Sequence, residues 1–174
     1  FVVIKRGEGD DPDQVIATTL NVWRSHSDTL QLPIEELFPD KFKDYSTTKG
    51  ACEISRTVSK YYDRSVQHLA FLALIRASYA HSTELGSTVI YCAVEPFLRD
   101  RIEGIGIPRT ELSEPRSFQE YRKVETIRIP LLFVVSHIKQ MSEDGRNVLI
   151  SQYLEGIDNH MGLGLFSSDL VKPL

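Results

Sequence analysis

Short alternating apolar runs open the chain. Phe1 to Lys5 is rich in β-branched residues, Arg6 to Asp13 carries two Gly, three Asp and a Pro, and Gln14 to Arg24 alternates again, which predicts a hairpin. In its second strand Ile16, Thr18, Leu20 and Val22 are the more apolar set and are expected to face the core, with Val15, Ala17, Thr19, Asn21 and Trp23 opposite. Leu32 to Phe38 places Pro33 at the start of a short helix, followed by a charged loop over 40–49. Gly50 to Ser59 reads as a strand with Cys52, Ile54, Arg56 and Val58 on one face and Ala51, Glu53, Ser55 and Thr57 on the other. Asp63 is a candidate N-cap for a helix reaching about His81, with Gly86 as its stop and Val66, Leu69, Ala70, Leu72, Ala73 and Ala77 as its apolar stripe.

Thr88 to Val94 is almost wholly apolar and of strand length, the pattern of a strand covered on both faces at the sheet centre. Pro96 opens a helix that stops at Gly104-Ile105-Gly106. Residues 111–117 are polar and irregular. Glu120 to Ile129 alternates as a strand near an edge, Pro130 begins a helix over Leu131 to Met141, residues 142–145 turn, and Val148 to Leu154 is a further short helix. The sum is a mixed α/β (α+β) sheet with helices on both faces.

Composition narrows the class. With 174 residues, 41% hydrophobic and 25% charged, the chain fits a single domain over 1–174 and no disordered or collagen-like class. A net charge of -4 gives no global field for nucleic acid. No apolar stretch reaches the roughly 18 residues of a membrane span, and no signal segment opens the chain, so the cytoplasm is the expected location. The start at Phe1, already inside an apolar run, suggests a missing N-terminal segment.

Cys52 and Cys92 sit in apolar runs without metal-ligand spacing, and His26, His68, His81, His137 and His160 have none either, so no metal site is expected. Cys92 reads as a buried small hydrophobe. There is no Gly-x-Ser-x-Gly elbow and no Walker loop. The chemistry concentrates instead on the polar face of the third strand. A carboxylate at Glu53 in a doubly covered strand would have its pKa raised towards neutrality, as a base for an amine requires. Against that stands an ordinary pairing with Arg56 or Arg64, or an open strand end, although alternation sends Arg56 to the other face. Ser59 to Ser65, with Lys60 and Arg64 at a helix start, is either a phosphate site or a capped helix with solvated charges.

The strings Leu32-Pro-Ile-Glu-Glu-Leu-Phe38, Glu53-Ile-Ser-Arg-Thr-Val-Ser59, Tyr62-x-Arg64 and Glu95-Pro-Phe-Leu-Arg99 resemble the autoinducer-synthase-like branch of the GNAT acyltransferases, which includes N-acyl amino acid synthases. Leu112 to Pro115 and Tyr121-Arg122 extend the likeness, which covers about residues 1–130. The resemblance implies a mostly antiparallel sheet in which two parallel strands, 50–59 and 88–94, splay to admit an acyl thioester. It implies Glu53 as the base with Ser55 beside it, and Arg56, Thr57, Val58, Ser59 and Arg64 around the pantetheine arm. Trp23, Tyr91 and Phe97 become acceptor or acyl-pocket residues, with Leu131 and Phe133 as further tunnel candidates. No permanent cofactor is implied; the donor is acyl-CoA or the phosphopantetheine of an acyl carrier protein, and the acceptor a small amine.

Residues 59–67 contain no Gly, which makes close backbone approach to a pyrophosphate harder and favours a carrier-protein donor. Residues 60–109, with 6 basic and 5 acidic groups, are the one stretch not net acidic, which suits an acidic carrier protein. The alternatives are an autoinducer synthase using S-adenosylmethionine and a GNAT-fold binding or sensor domain without turnover.

Overall fold

A computed structural model describes residues 1–5, 7, 12–25, 30–43, 49–59, 63–119, 125–143, 153–154 and 171–172. The first part of the expected strand over 120–129, residues 144–145 of the expected turn over 142–145, most of the helix over 148–154, and Lys60, Tyr62, Tyr121 and Arg122 lie outside them.

The strands are β1 (Val2–Lys5), β2 (Gln14–Arg24), β3 (Ala51–Ser59), β4 (Val89–Val94), β5 (Thr110–Glu111), β6 (Arg116–Gln119), β7 (Glu125–Val134) and β8 (Val171–Lys172). The helices are α1 (Pro33–Leu37), α2 (Arg64–Glu84), α3 (Pro96–Ile105) and α4 (Val135–Glu143). The sheet order is β5-β7-β4-β3-β2-β1-β8, with β6 also paired to β7. Every pairing is antiparallel except β3 with β4.

The hairpin forms where the turn residues placed it, and β4 lies at the centre with most of its side chains buried. Asp63 caps α2 by accepting from Ser65 N–H at 2.7 Å and Val66 N–H at 3.3 Å. Gly106, at φ 83, takes the left-handed turn that ends α3. α1 packs on one face through Leu32, Ile34 and Phe38 against Ala51 and Tyr91, while α2 covers the other face through Ala70, Ala73 and Leu74 against Val3 and Ile16.

Three readings change. In β2, Ile16, Ala17 and Thr19 are buried and Leu20 is exposed, because β2 carries an extra residue at Ile16 against Val3 and Ile4 of β1, which interrupts the alternation that a flat strand would keep. Along α2 the buried face runs through Ala70, Phe71, Ala73, Leu74, Ser78, Tyr79 and Ser82, rotated from the expected stripe to meet two different sheet regions. Pro130 does not start a helix. β7 continues through it to Val134, and this strand lies inside the sheet, between β4 and the β5 and β6 pair. The Pro130 carbonyl accepts Leu112 N–H on the β5 and β6 side, so its missing N–H falls where the neighbour changes from β6 to β5. No ladder bond to β4 is lost there.

Candidate active site

The parallel ladder between β3 and β4 is short. It joins Ala51 to Val89, Cys52 to Ile90 and Glu53 to Tyr91, and stops. β3 runs on to Ser59 along β2, and β4 runs on to Val94 along β7, so the two strands part beyond Glu53 and Tyr91. Arg56, at φ 51, sits in the segment of β3 where three residues span what two span in β2. This bulge bends β3 away from β4 and breaks the expected regular alternation along the strand.

A cavity of about 710 Å³ occupies the opening and passes through the sheet. Pro33, Glu36, Leu37, Glu53 and Ser55 line it on the α1 side, while Phe71, Leu74, Ile90, Cys92, Ile102 and Phe133 line its apolar interior. Many of the interior residues also belong to the largest core cluster, so the core is hollow where the strands part.

Glu53 stands at the closed end of the gap, 1% exposed. Its Oε2 accepts the Ile34 N–H at 2.8 Å. Burial pushes its carboxyl up to about 7; the Ile34 hydrogen bond opposes the shift, and the Glu35 and Glu36 carboxylates add to it. Among the described residues no basic side chain pairs with Glu53, so the Arg56 and Arg64 pairings do not form.

The sequence reading missed the neighbouring network. Glu35 Oε1 binds Arg24 Nη1 at 2.6 Å, with both side chains 3% exposed, and Glu35 Oε2 accepts Leu32 N–H at 2.9 Å. The signal available was a Glu three residues after a helix-preceding Leu, but nothing local pointed to Arg24 at the end of β2.

Of the expected site residues, Glu53, Ser55, Arg56, Thr57 and Val58 line the cavity together. Thr57 Oγ1 lies 2.8 Å from Thr19 Oγ1, and Thr19 Oγ1 donates to the Ser55 carbonyl at 3.3 Å, which braces the bulge. The other five lie outside the cavity lining. Ser59 ends β3, and Arg64 is exposed on the first turn of α2. Trp23 packs on the α2 side of the core, Tyr91 is fully buried against Phe42 with ring centroids 5.2 Å apart, and Phe97 is 63% exposed. Phe133 does line the interior, from β7 rather than from a helix, whereas Leu131 is core.

Burial raises both cysteine thiols, Cys92 well above the usual range, so neither is a nucleophile. No group of three or more His, Cys, Asp or Glu able to hold a metal occurs among the described residues. No helix among them is long and apolar enough to cross a membrane. Within 60–109, Arg99 pairs with Asp100 and Glu111, and Arg109 with Glu103 and Glu111.

No protein-family model matches the chain, and no curated protein matches it. Solved structures do match. FeeM, an N-acyl amino acid synthase from uncultured soil microbes, aligns with a TM-score of 0.54 at 11% identity, covering 75% of this chain and 70% of FeeM. LasI, an acyl-homoserine-lactone synthase, aligns at 0.53 with 12% identity, over 70% of this chain and 59% of LasI. The fold is GNAT-like. MesI, a CoA-dependent acyl-homoserine-lactone synthase, aligns at 0.50 with 18% identity, over 85% of this chain and 67% of MesI. The chain spans about 58% of the length of TofI, a further match. The parted parallel pair, expected on resemblance, is the feature of this GNAT-like sheet that makes its cavity.

Proposed function

We propose that the chain is an N-acyltransferase that moves an acyl group from a pantetheine thioester to the amine of a small acceptor. The observation that carries this reading is the buried Glu53, without a cationic partner among the described residues, at the closed end of a strand gap that opens into an apolar cavity. With its carboxyl near 7, Glu53 is poised to take a proton from an ammonium at neutral pH, directly or through a water.

In the proposed step the freed amine nitrogen attacks the thioester carbonyl, forming the C–N bond. The oxyanion of the tetrahedral intermediate meets backbone N–H groups of residues 54–58, whose edge borders the gap. Collapse re-forms the carbonyl and breaks the C–S bond, and the surplus proton on the attacking nitrogen passes, directly or through water, to the departing thiolate, leaving a neutral amide and a thiol. The pantetheine amides add to the open edge of β3 as an extra strand would, past Ser55, Arg56, Thr57 and Val58. Arg64, exposed on the first turn of α2, meets a phosphate at the outer end of that arm in this reading. The acyl chain enters the interior between Phe71, Leu74, Cys92 and Phe133.

The test is direct. The protein is incubated with acyl-CoA and acyl-carrier-protein donors, each with pooled amino acids or S-adenosylmethionine, and products are read by mass spectrometry. An N-acyl amino acid supports the reading, and an acyl-homoserine lactone moves the acceptor to S-adenosylmethionine. No product from any donor, together with no thermal shift by either thioester, leaves a binding domain.

A further inference from the structure

Glu53 and Arg24 belong to adjacent strands and to the same face. Val22 is the register partner of Glu53, and Arg24, two residues on, pairs with Ala51. Diagonal neighbours of this kind lie about 7–8 Å apart at the backbone, within reach of a long side chain. A buried guanidinium on that diagonal is the natural partner of a buried carboxylate, yet its ion pair goes to a different carboxylate. Its Nη1 is held by Glu35 Oε1 at 2.6 Å and reaches the Leu30 carbonyl at 3.4 Å. Glu35 in turn is fixed by Leu32 N–H, on the same turn whose Ile34 N–H meets Glu53. Among the described residues Arg24 is the one buried guanidinium.

We propose that Glu35 is a positioning residue for Glu53: it holds Arg24 away from Glu53 and anchors the α1 turn that aims the Ile34 N–H at it. The proposal rests on the reading of Glu53 as the base. An Arg24–Glu53 pair would leave a carboxylate that is ionised at all working pH values and too weak to accept the acceptor's proton. By binding the guanidinium, Glu35 leaves Glu53 buried without that cation beside it. The other charged or titratable groups at the site are Glu36 on α1, Tyr79 on α2, Tyr91 and Cys92 on β4, Cys52 beside Glu53 on β3, and Arg56, Glu95 and Arg128 along the cavity. Glu36 is exposed, so its charge is screened more than that of Glu35.

The test follows the Glu53 carboxyl itself by carbon NMR on glutamate-labelled protein, with the resonance assigned by its loss in Glu53→Gln. Glu35→Gln keeps an acceptor for Leu32 N–H but removes the carboxylate charge that binds Arg24. Its expected result is a fall in the Glu53 midpoint by about one pH unit or more, matched by an equal downward move of the acid limb of kcat/KM. Adding Arg24→Met to Glu35→Gln removes that cation and restores a raised midpoint. Should Glu35→Gln fail to fold, Glu35→Asp, too short to hold both partners, is expected to move the midpoint the same way. A Glu53 midpoint unchanged from wild type in the folded Glu35 variants overturns the proposal. The titration needs no turnover, so absence of acyl product would sink the transferase reading while leaving this result intact.

Discussion

Ile34 donates its backbone N–H to the Glu53 carboxylate at 2.8 Å, so one hydrogen bond ties the first turn of α1 to the closed end of the strand gap. The bond favours the charged form of Glu53, and burial overrides it. The site therefore holds a carboxyl that changes state near neutrality.

That state has a stability consequence with a definite sign. Glu53 titrates near 7 in the folded chain against 4.5 as its ordinary value, so the folded state binds more protons than the unfolded state between those pH values. Its contribution is fully present below about pH 4.5 and is lost as pH rises through 7. Thermal melts across pH 4.5–8 are expected to show Glu53→Gln lacking this decline and melting at or above wild type at pH 8. A wild type that gains stability over wild-type-minus-Gln as pH rises would reverse the assignment.

The buried Arg24–Glu35 pair predicts a large asymmetry. Arg24→Met leaves Glu35 buried and uncompensated and is expected to cost about 3–5 kcal/mol in urea unfolding, whereas Arg24→Met with Glu35→Leu recovers most of it.

The bulge predicts an order among substitutions at Arg56. At φ 51 a glycine is unstrained, so Arg56→Gly is expected to be no less stable than wild type by more than about 0.5 kcal/mol, while β-branched Arg56→Val loses about 1–2 kcal/mol. Urea midpoints measure both, and turnover is expected to fall in Arg56→Gly if the side chain meets the donor.

The interior of the cavity predicts a chain-length effect. Cys92→Leu narrows the space behind the gap without adding a polar group, so the rate with a twelve-carbon donor is expected to fall at least about tenfold relative to a four-carbon donor, a difference of about 1.4 kcal/mol. Equal losses with both donors would place the acyl chain elsewhere.

The elements that carry local signals were legible in the sequence. Asp63 announces α2, Gly106 ends α3, and the apolar run of β4 states its place at the sheet centre. Glu53 was legible for the same reason, since a carboxylate in a doubly covered strand is costly enough to need a purpose. Pro130 misled because its tolerance depends on a change of neighbouring strand that no local pattern encodes. The bulges misled likewise: one in β2 against β1 and one in β3 against β2 shift the faces of their strands through tertiary pairing. Trp23 and Tyr91 carried chemistry that packing absorbed into the core, and Arg24 and Glu35, eleven residues apart, gained their meaning only when α1 folded back over the end of β2.

The most direct test of Glu53 as the base is the pH dependence of kcat/KM for acyl transfer in wild type and Glu53→Gln. The account predicts a wild-type rate that rises through a midpoint near pH 7, and a Glu53→Gln rate that is lower by at least about a hundredfold and lacks that rise, with donor affinity little changed. A Glu53→Gln rate equal to wild type across the same pH range would contradict it.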